Sequence, residues 1–237
     1  KPLVSIILPV QNNDKHLSSC LDSLTRQSYH NIEIIAIDDK SKDSSSAIIE
    51  KYIAAKSNRK DLELKFYKHE NNAGKGAALR TGFKQATGNF LIIQDADLEY
   101  DPVEYNELLK PLVDGVADVV YGSRFTGSKA RRSMGFWHYW ANKFLTYLSN
   151  LVNDIYLTDM ETCYKAFRTE IIQSIKFKEK HFGIEPEITA KIAKKKNLRL
   201  FEVPISYYGR SYEENKKISW KDGLKILLYL IKHRFIN

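Results

Sequence analysis

Short apolar runs alternate with helical patterns along most of this chain, and that alternation limits the fold more than any other feature. Val4–Val10 and Ile32–Ile37 have the length and β-branched content of buried strands, and helical spacing of apolar residues follows each of them. The same order recurs from Leu62 to about Gly88, and a fourth strand follows at Phe90–Ile93. Strands that alternate with helices predict a parallel sheet covered by helices.

The second half of the chain continues the alternation. We expect a helix near Val103–Val113, a strand at Asp118–Tyr121, an aromatic-rich helix from about Phe136 to Leu151, and a last strand within Leu198–Tyr207. With 237 residues, 43% of them hydrophobic, the chain can bury one large core. We therefore predict a single α/β domain over residues 1–218, with a mostly parallel twisted sheet and helices on both faces. A C-terminal helix over 219–237 follows it.

The strand Phe90–Ile93 ends abruptly in acidic residues. Pro102 prevents the strand from continuing, and the acids between are Asp95, Asp97 and Glu99. Carboxylates at the carboxyl end of a strand line the ligand crevice of an open α/β sheet. Strand alternation would place these three on one face, where their oxygens could bind a divalent cation. The alternative is a solvated acidic turn.

The second strand also ends in acids. Asp38 and Asp39 could accept hydrogen bonds from a ribose or a base edge, or this segment could cap the next helix instead. The turn around Lys75 has glycines on both sides and offers backbone N–H groups and an ammonium to an anion. It matches neither the dinucleotide-binding nor the P-loop motif, so a dehydrogenase or a P-loop NTPase is not indicated.

Positive charge is concentrated at the C-terminus. Residues 191–237 carry 12 Lys and Arg against 4 Asp and Glu, which leaves 25 of each sign in residues 1–190 and accounts for the whole net charge of +8. Within 219–237, apolar residues recur on one helical face and lysines on the other, so this helix could lie on an anionic membrane surface or pack on the domain. A non-enzymatic nucleic-acid-binding module is disfavoured, because these aromatic residues fit helical packing better than base stacking.

The cysteines and the hydropathy pattern favour a cytoplasmic location. Cys20 and Cys163 are far apart and have no metal-ligand spacing, so neither a disulfide framework nor a zinc site is expected. We find no signal peptide and no apolar run long enough to span a bilayer. The expectation is a cytoplasmic protein at the cytoplasmic face of a membrane, without a transmembrane segment in this chain.

Several short motifs occur in an order and spacing that resemble a known family. They are Pro9, Asp38-Asp39-x-Ser41-x-Asp43, Asn72-x-Gly74-Lys75-Gly76, Asp95-Ala96-Asp97, Gly122-Ser123-Arg124 and Glu202-Val203-Pro204. Together they resemble the family 2 glycosyltransferases of GT-A fold, and most of all the dolichyl- or polyprenyl-phosphate mannose and glucose synthases, over about residues 3–220. The chain departs from the usual family pattern at Lys40 and Ser44, where glycine is common, and at Gln11–Asn13.

The resemblance implies a reaction. A hexose would pass from a nucleotide diphosphate sugar, GDP-mannose or a UDP-hexose, to a polyprenyl phosphate, with inversion and with Mg²⁺ or Mn²⁺ as cofactor. The implied donor-nucleotide contacts are Pro9, Asp38, Asp39, Lys75 and Asp95. The implied metal ligands are Asp95, Asp97 and Glu99, and the implied contacts to the acceptor phosphate are Arg124, Arg131, Arg132 and Arg210.

The identity of the acceptor decides whether a base is needed. A phosphate monoester is already anionic at neutral pH, whereas a glycan hydroxyl, the alternative acceptor, requires a general base. In related enzymes an acid near Asp159 lines the acceptor pocket, so Asp97 and Asp159 are the catalytic candidates. We expect Glu185 and Glu187 to be charges at a helix N-terminus instead.

Overall fold

The computed structural model describes residues 1–56, 62–181, 183–210, 228–230 and 232–234. Its strands are β1 Val4–Val10, β2 Ile32–Asp38, β3 Leu62–Lys68, β4 Phe90–Ile93, β5 Val119–Ser123, β6 Lys165–Arg168 and β7 Leu200–Pro204. Its named helices are α1 Asp14–Arg26, α2 Ser45–Lys56, α3 Lys75–Gln85, α4 Tyr105–Val113, α5 Phe136–Asn153, α6 Thr169–Gln173 and α7 Ile184–Ala193. A 3-10 turn at Pro102–Glu104 precedes α4.

The strands form one seven-stranded sheet in the order β3-β2-β1-β4-β6-β5-β7. The pairs β2–β3, β1–β2, β1–β4 and β5–β7 are parallel, whereas β6 runs antiparallel to both β4 and β5. The prediction of a mostly parallel α/β sheet is therefore confirmed. The sequence did not indicate β6, which is four residues long and carries a cation at each end.

The sheet has a hydrophobic core on each face, because side chains of a buried strand alternate between the two sides. Alternate residues of β1, such as Ile6 and Leu8, pack with α1, α2 and α4 on one face. Ile7 and the residues in register with it pack with α3, α6 and α7 on the other face. Helices cover both faces, as the alternation of elements predicts.

The C-terminal helix predicted over 219–237 lies mostly outside the described residues. Residues 228–230 and 232–234 are helical, and Leu230 is fully buried against Leu145 and Met160. Within the described part of the chain, no helix combines the length and the apolar character that crossing a bilayer would require.

A buried glutamate ties three strands and a loop together. Glu33 of β2 is fully buried and accepts hydrogen bonds from Ser5 Oγ at 2.6 Å, from Lys65 Nζ at 2.7 Å and from the backbone N–H of Thr87 at 2.7 Å. Burial alone would raise the pKa of Glu33, but these hydrogen bonds outweigh it and hold the pKa below its usual value. This carboxylate ties the loop between α3 and β4 to the sheet.

The lowered pKa of Glu33 predicts how its contribution depends on pH. Glu33→Gln should lower the free energy of unfolding by about 1–3 kcal/mol at neutral pH. The contribution is complete above the unfolded-state pKa, near 4.3, and declines as pH falls through the lower folded-state value, so the gap to wild type should narrow below about pH 4. Urea unfolding across a pH series measures this. Glu63→Gln, the exposed neighbour of the same lysine, should change stability by less than about 0.5 kcal/mol, and a gap that does not vary with pH would contradict the assignment.

Candidate active site

The acidic segment after β4 is a loop whose conformation differs from the sequence-based expectation. The strand ends at Ile93, so alternation along it does not extend to Asp95, Asp97 and Glu99. The expectation that strand geometry places these three side chains on one face is therefore wrong. The loop turns at Leu98, which has φ of 63°, a left-handed conformation that is uncommon for a branched residue. This turn brings Asp97 and Glu99 to the same partner.

Asp95 is paired with the lysine that opens α3. Lys75 Nζ lies 3.0 Å from Asp95 Oδ2 and 3.4 Å from Glu185 Oε1, so one ammonium joins the β4 end to α7. Burial alone would raise the pKa of Asp95, but the charge of Lys75 outweighs it and holds the pKa below its usual value. Asp95 is therefore a carboxylate at neutral pH, as a metal ligand must be.

Asp97 and Glu99 share an arginine. Arg210 Nη2 donates to Asp97 Oδ2 at 2.7 Å, and Arg210 Nε donates to Glu99 Oε1 at 3.1 Å. Tyr207 Oη also donates to Glu99, at 3.1 Å. Burial, followed by the negative charges of Asp95 and Glu99, raises the pKa of Asp97 to about 7. The loop thus carries more negative charge than its protein partners fully compensate.

These acids suit a hard divalent cation, but not as a complete protein cage. Carboxylate oxygens are preferred by Mg²⁺ and Mn²⁺, and added positive charge would relieve the repulsion that raises the pKa of Asp97. In the part of the chain that the structure describes, however, no three His, Cys, Asp or Glu side chains are gathered as a metal cluster. The donor set therefore fits a cation held by one or two carboxylates together with substrate phosphates, which is how Mg²⁺ commonly binds. Glu99 as a third ligand remains a prediction.

The acids after β2 organise the loops beside the acidic segment. Asp38 Oδ1 accepts from Ser41 N at 2.9 Å, and Asp39 accepts from the backbone N–H groups of Ala73 at 2.9 Å and Gly74 at 2.6 Å. Asp39 thereby holds the loop that leads into α3. Both carboxylates are nearly fully buried. Pro9 lies in β1 opposite the neighbouring Ile37, so it borders the same region, and the nucleotide contacts of all three residues remain predictions.

Arg124 and Asp159 form a buried ion pair at the end of β5. The guanidinium donates through Nε to Oδ2 and through Nη2 to Oδ1, each at 2.7 Å, and Arg124 N adds a bond to Oδ2 at 3.0 Å. Asp159 is fully buried, and both of its oxygens accept hydrogen bonds from Arg124. In this arrangement Asp159 is a positioning partner of Arg124, and its role as a base remains a prediction that the geometry does not favour.

Arg131 and Arg132 connect the basic loop after β5, residues 124–132, to the acidic segment after β4. Arg131 Nη1 donates to the carbonyl of Arg124 at 3.0 Å, and Arg132 N donates to the carbonyl of Tyr207 at 2.8 Å. Tyr208 N in turn donates to the carbonyl of Glu99 at 2.9 Å. The segment 207–210 therefore joins the predicted acceptor arginines to the predicted metal ligands.

A buried layer of charge beneath the site was not predicted from the sequence. Lys165 of β6 is fully buried and contacts Glu185 closely, while the Cys163 Sγ lies 2.9 Å from Lys75 Nζ. Burial, with Glu185 nearby, raises the pKa of Glu161 to about 7. Glu185 and Glu187 do lie in the first turn of α7, as expected, but both are buried and paired with lysines. In the sequence, the one indication of this buried charge is Lys165, which has apolar or aromatic neighbours on both sides within 164–167.

Comparison with known proteins identifies what this arrangement resembles. The model of the family described as "Glycosyl transferase family 2" matches residues 5–176. A UDP-N-acetylglucosamine–dolichyl-phosphate N-acetylglucosaminyltransferase from Methanococcus voltae is 27% identical over 97% of this chain and 95% of its own length. An undecaprenyl-phosphate 4-deoxy-4-formamido-L-arabinose transferase from Aeromonas hydrophila is 27% identical over 90% of this chain and 62% of its own.

A solved structure shares the fold. Glucosyl-3-phosphoglycerate synthase from Mycobacterium tuberculosis, crystallised with Mn²⁺, UDP and phosphoglyceric acid, superposes with a TM-score of 0.72 at 18% identity. The superposition covers all of this chain and 80% of that one. The expected GT-A fold is thereby confirmed.

The Arg124–Asp159 pair generates a stability prediction. Asp159→Asn leaves a buried guanidinium without its counter-charge and should lower the free energy of unfolding by about 3–5 kcal/mol. Replacing both partners, with Arg124→Met and Asp159→Leu, should cost less, because no buried charge is then left unpaired. Chemical denaturation measures both variants.

The matched control is Asp154→Asn. Asp154 is exposed and has φ of 54°, a conformation that asparagine tolerates, so this change should stay within about 0.5 kcal/mol. An Asp159→Asn variant as stable as Asp154→Asn would contradict the structural role.

Proposed function

The chain belongs to glycosyl transferase family 2, and on that premise we propose that it transfers a hexose from a nucleotide diphosphate sugar to a polyprenyl phosphate. The observation that carries the proposal is the junction at 207–210. There Arg210 contacts Asp97 and Glu99, while Arg132 Nη1 donates to the carbonyl of Gly209 at 3.1 Å. Groups suited to a metal-bound diphosphate and groups suited to a phosphate acceptor thus meet at one place.

On the donor side, the residues of this chain would bind and orient the nucleotide diphosphate. Asp95 and Asp97 would hold Mg²⁺ or Mn²⁺, which when bound supplies positive charge that stabilises the leaving diphosphate. Asp39 accepts hydrogen bonds from Ala73 N and Gly74 N in the loop ahead of α3, and in this way it would hold Lys75 in place beside the diphosphate. Arg210 would move from the acids towards a phosphate as the donor and acceptor bind.

On the acceptor side, the proposal requires cations instead of a base. A phosphate monoester has a second pKa near 6, so at neutral pH its oxygen is already a nucleophile. Guanidinium groups bind phosphate through paired hydrogen bonds, and Arg131 and Arg132 are exposed at the surface. A single displacement by that oxygen at the anomeric carbon inverts its configuration. With Asp159 fully paired, the structure favours this acceptor over a glycan hydroxyl.

The names of the relatives support the same reaction class. Two of them, from Methanococcus voltae and Aeromonas hydrophila, are named for dolichyl-phosphate and undecaprenyl-phosphate acceptors. UDP appears in the name of the first of these and in the structure from Mycobacterium tuberculosis, which also contains Mn²⁺. We therefore favour a UDP sugar over GDP-mannose as donor.

Metal-dependent nucleotide binding tests the part of the proposal that concerns the sugar donor. Titration calorimetry with UDP should show at least about tenfold tighter binding when Mn²⁺ is present, and Asp95→Asn or Asp97→Asn should remove that gain. Asp114→Asn changes an exposed carboxylate paired only with Lys110 in the described structure, and should leave the metal effect intact. UDP affinity that is indifferent to Mn²⁺ in wild type would refute the metal-binding role.

Steady-state kinetics with a varied acceptor concentration test the part of the proposal that concerns the acceptor. With a water-soluble short-chain prenyl phosphate, Arg131→Ala and Arg132→Ala should each raise the acceptor KM roughly tenfold or more, since each removes a charged hydrogen-bond donor. Donor KM should change little. Arg26→Ala, an exposed arginine at the end of α1, serves as control. Transfer to a glycan hydroxyl that is unaffected by either arginine variant would instead favour the hydroxyl acceptor.

A further inference from the structure

The exposed face of α5 carries large apolar side chains along most of its length. Five residues at alternating spacings of three and four turn towards solvent, and between 53% and 81% of each is exposed. They are Trp137, Trp140, Phe144, Tyr147 and Leu151. This spacing keeps them on one side of an 18-residue helix about 27 Å long. We call these five residues the α5 stripe.

The opposite face of the same helix is buried and mostly polar, with Leu145 as its buried apolar residue. Asn142, Thr146, Ser149 and Asn153 are each at most 7% exposed. Asn142 Oδ1 lies 3.4 Å from Arg124 Nη2, Thr146 Oγ1 accepts a hydrogen bond from Met160 N, and Asn153 Nδ2 donates to Ser149 Oγ. A helix on the surface of a soluble domain normally has the reverse arrangement, with apolar residues inside and polar residues outside. Internal packing therefore does not account for the aromatic residues of the α5 stripe.

The charges around the stripe select its partner. Within α5 there is no acidic residue, and Lys143 is its one charged residue. The exposed Arg131 and Arg132 lie in the loop just before the helix. An anionic bilayer complements this charge, whereas a second copy of the chain repels it. Tryptophan and tyrosine are also the side chains enriched at the interface between lipid and water.

We propose that the α5 stripe docks on an anionic lipid bilayer, with α5 lying in the plane of the interface. The proposal deepens the proposed function and rests on it for the acceptor. Phe125 packs edge-on against Tyr139 at 5.3 Å, so the start of α5 is fixed beside Arg124 and the basic loop. Docking of the stripe would bring Arg131 and Arg132 close to the headgroup layer, where the phosphate of a membrane-held prenyl chain lies.

Vesicle flotation tests the surface without any transfer reaction. Vesicles of equal parts phosphatidylcholine and phosphatidylglycerol, free of prenyl phosphate, should carry the full chain to the top of the gradient. Trp137→Ser combined with Trp140→Ser should reduce the bound fraction by at least about tenfold, because both aromatic anchors are lost. Val113→Ser with Val116→Ser removes exposed apolar side chains outside α5 and should not change binding. Unchanged thermal unfolding of both double variants shows that the fold is intact.

Fluorescence locates the contact. In a Trp220→Phe background only Trp137 and Trp140 remain of the three tryptophans, and their emission should shift to the blue on vesicles and be quenched by brominated lipid. Absence of both effects, or flotation that the double tryptophan variant retains, would overturn the proposal. So would a dimer in sedimentation that the same variant dissociates.

Activity separates this surface from the proposed reaction. With the water-soluble prenyl phosphate, the double tryptophan variant should keep wild-type turnover, and it should lose at least about tenfold when the acceptor is embedded in vesicles. Vesicle binding without transfer to either acceptor would refute the proposed reaction and leave the docking surface intact. Undiminished transfer by the double tryptophan variant to the acceptor embedded in vesicles would refute the docking surface and leave the reaction intact.

Discussion

The partly buried ammonium of Lys75 is the interaction on which the site depends. It touches Asp95 at the end of β4, Glu185 on α7 and Cys163 before β6, so one cation joins three elements that are distant in sequence. Burying charge is costly unless every partner is in place, and removing one partner leaves the others uncompensated. Because β4 ends at Ile93, before the acidic segment begins, contacts between distant elements position Asp95 there instead of strand geometry.

Much of this architecture was predictable because it follows from local patterns. Apolar runs gave the parallel strands, helical spacing gave the covering helices, and Asp38 and Asp95 marked strand ends where a crevice forms. The prediction that Asp95, Asp97 and Glu99 lie on one face of a strand did not follow from the same local patterns. It assumed that strand geometry continues past Ile93, whereas the left-handed Leu98 redirects the chain there.

The rest depends on pairings between distant segments, which a single sequence does not encode locally. Nothing near Arg210 indicates that it will meet Asp97, and nothing near Asp159 indicates that Arg124 will occupy both of its oxygens. The antiparallel β6 is short and has a buried lysine at its start, so it lacks the apolar run that reveals the other inner strands. Lys40 departs from the family pattern, which often has glycine at this position. In this structure Lys40 adopts φ of 60°, a conformation that glycine would reach without strain.

The cations beside the acids also bear on how the donor would bind. Asp97 and Glu99 contact Arg210, and Asp95 contacts Lys75, so the carboxylates most suited to a metal already have partners. A dication arriving with a diphosphate brings both signs of charge, and the guanidinium displaced from the acids can pair with the incoming phosphates. The exchange keeps every buried charge compensated, whereas either the metal or the nucleotide alone would leave one side unpaired. If the proposed function holds, metal and nucleotide should therefore bind together more readily than either one alone.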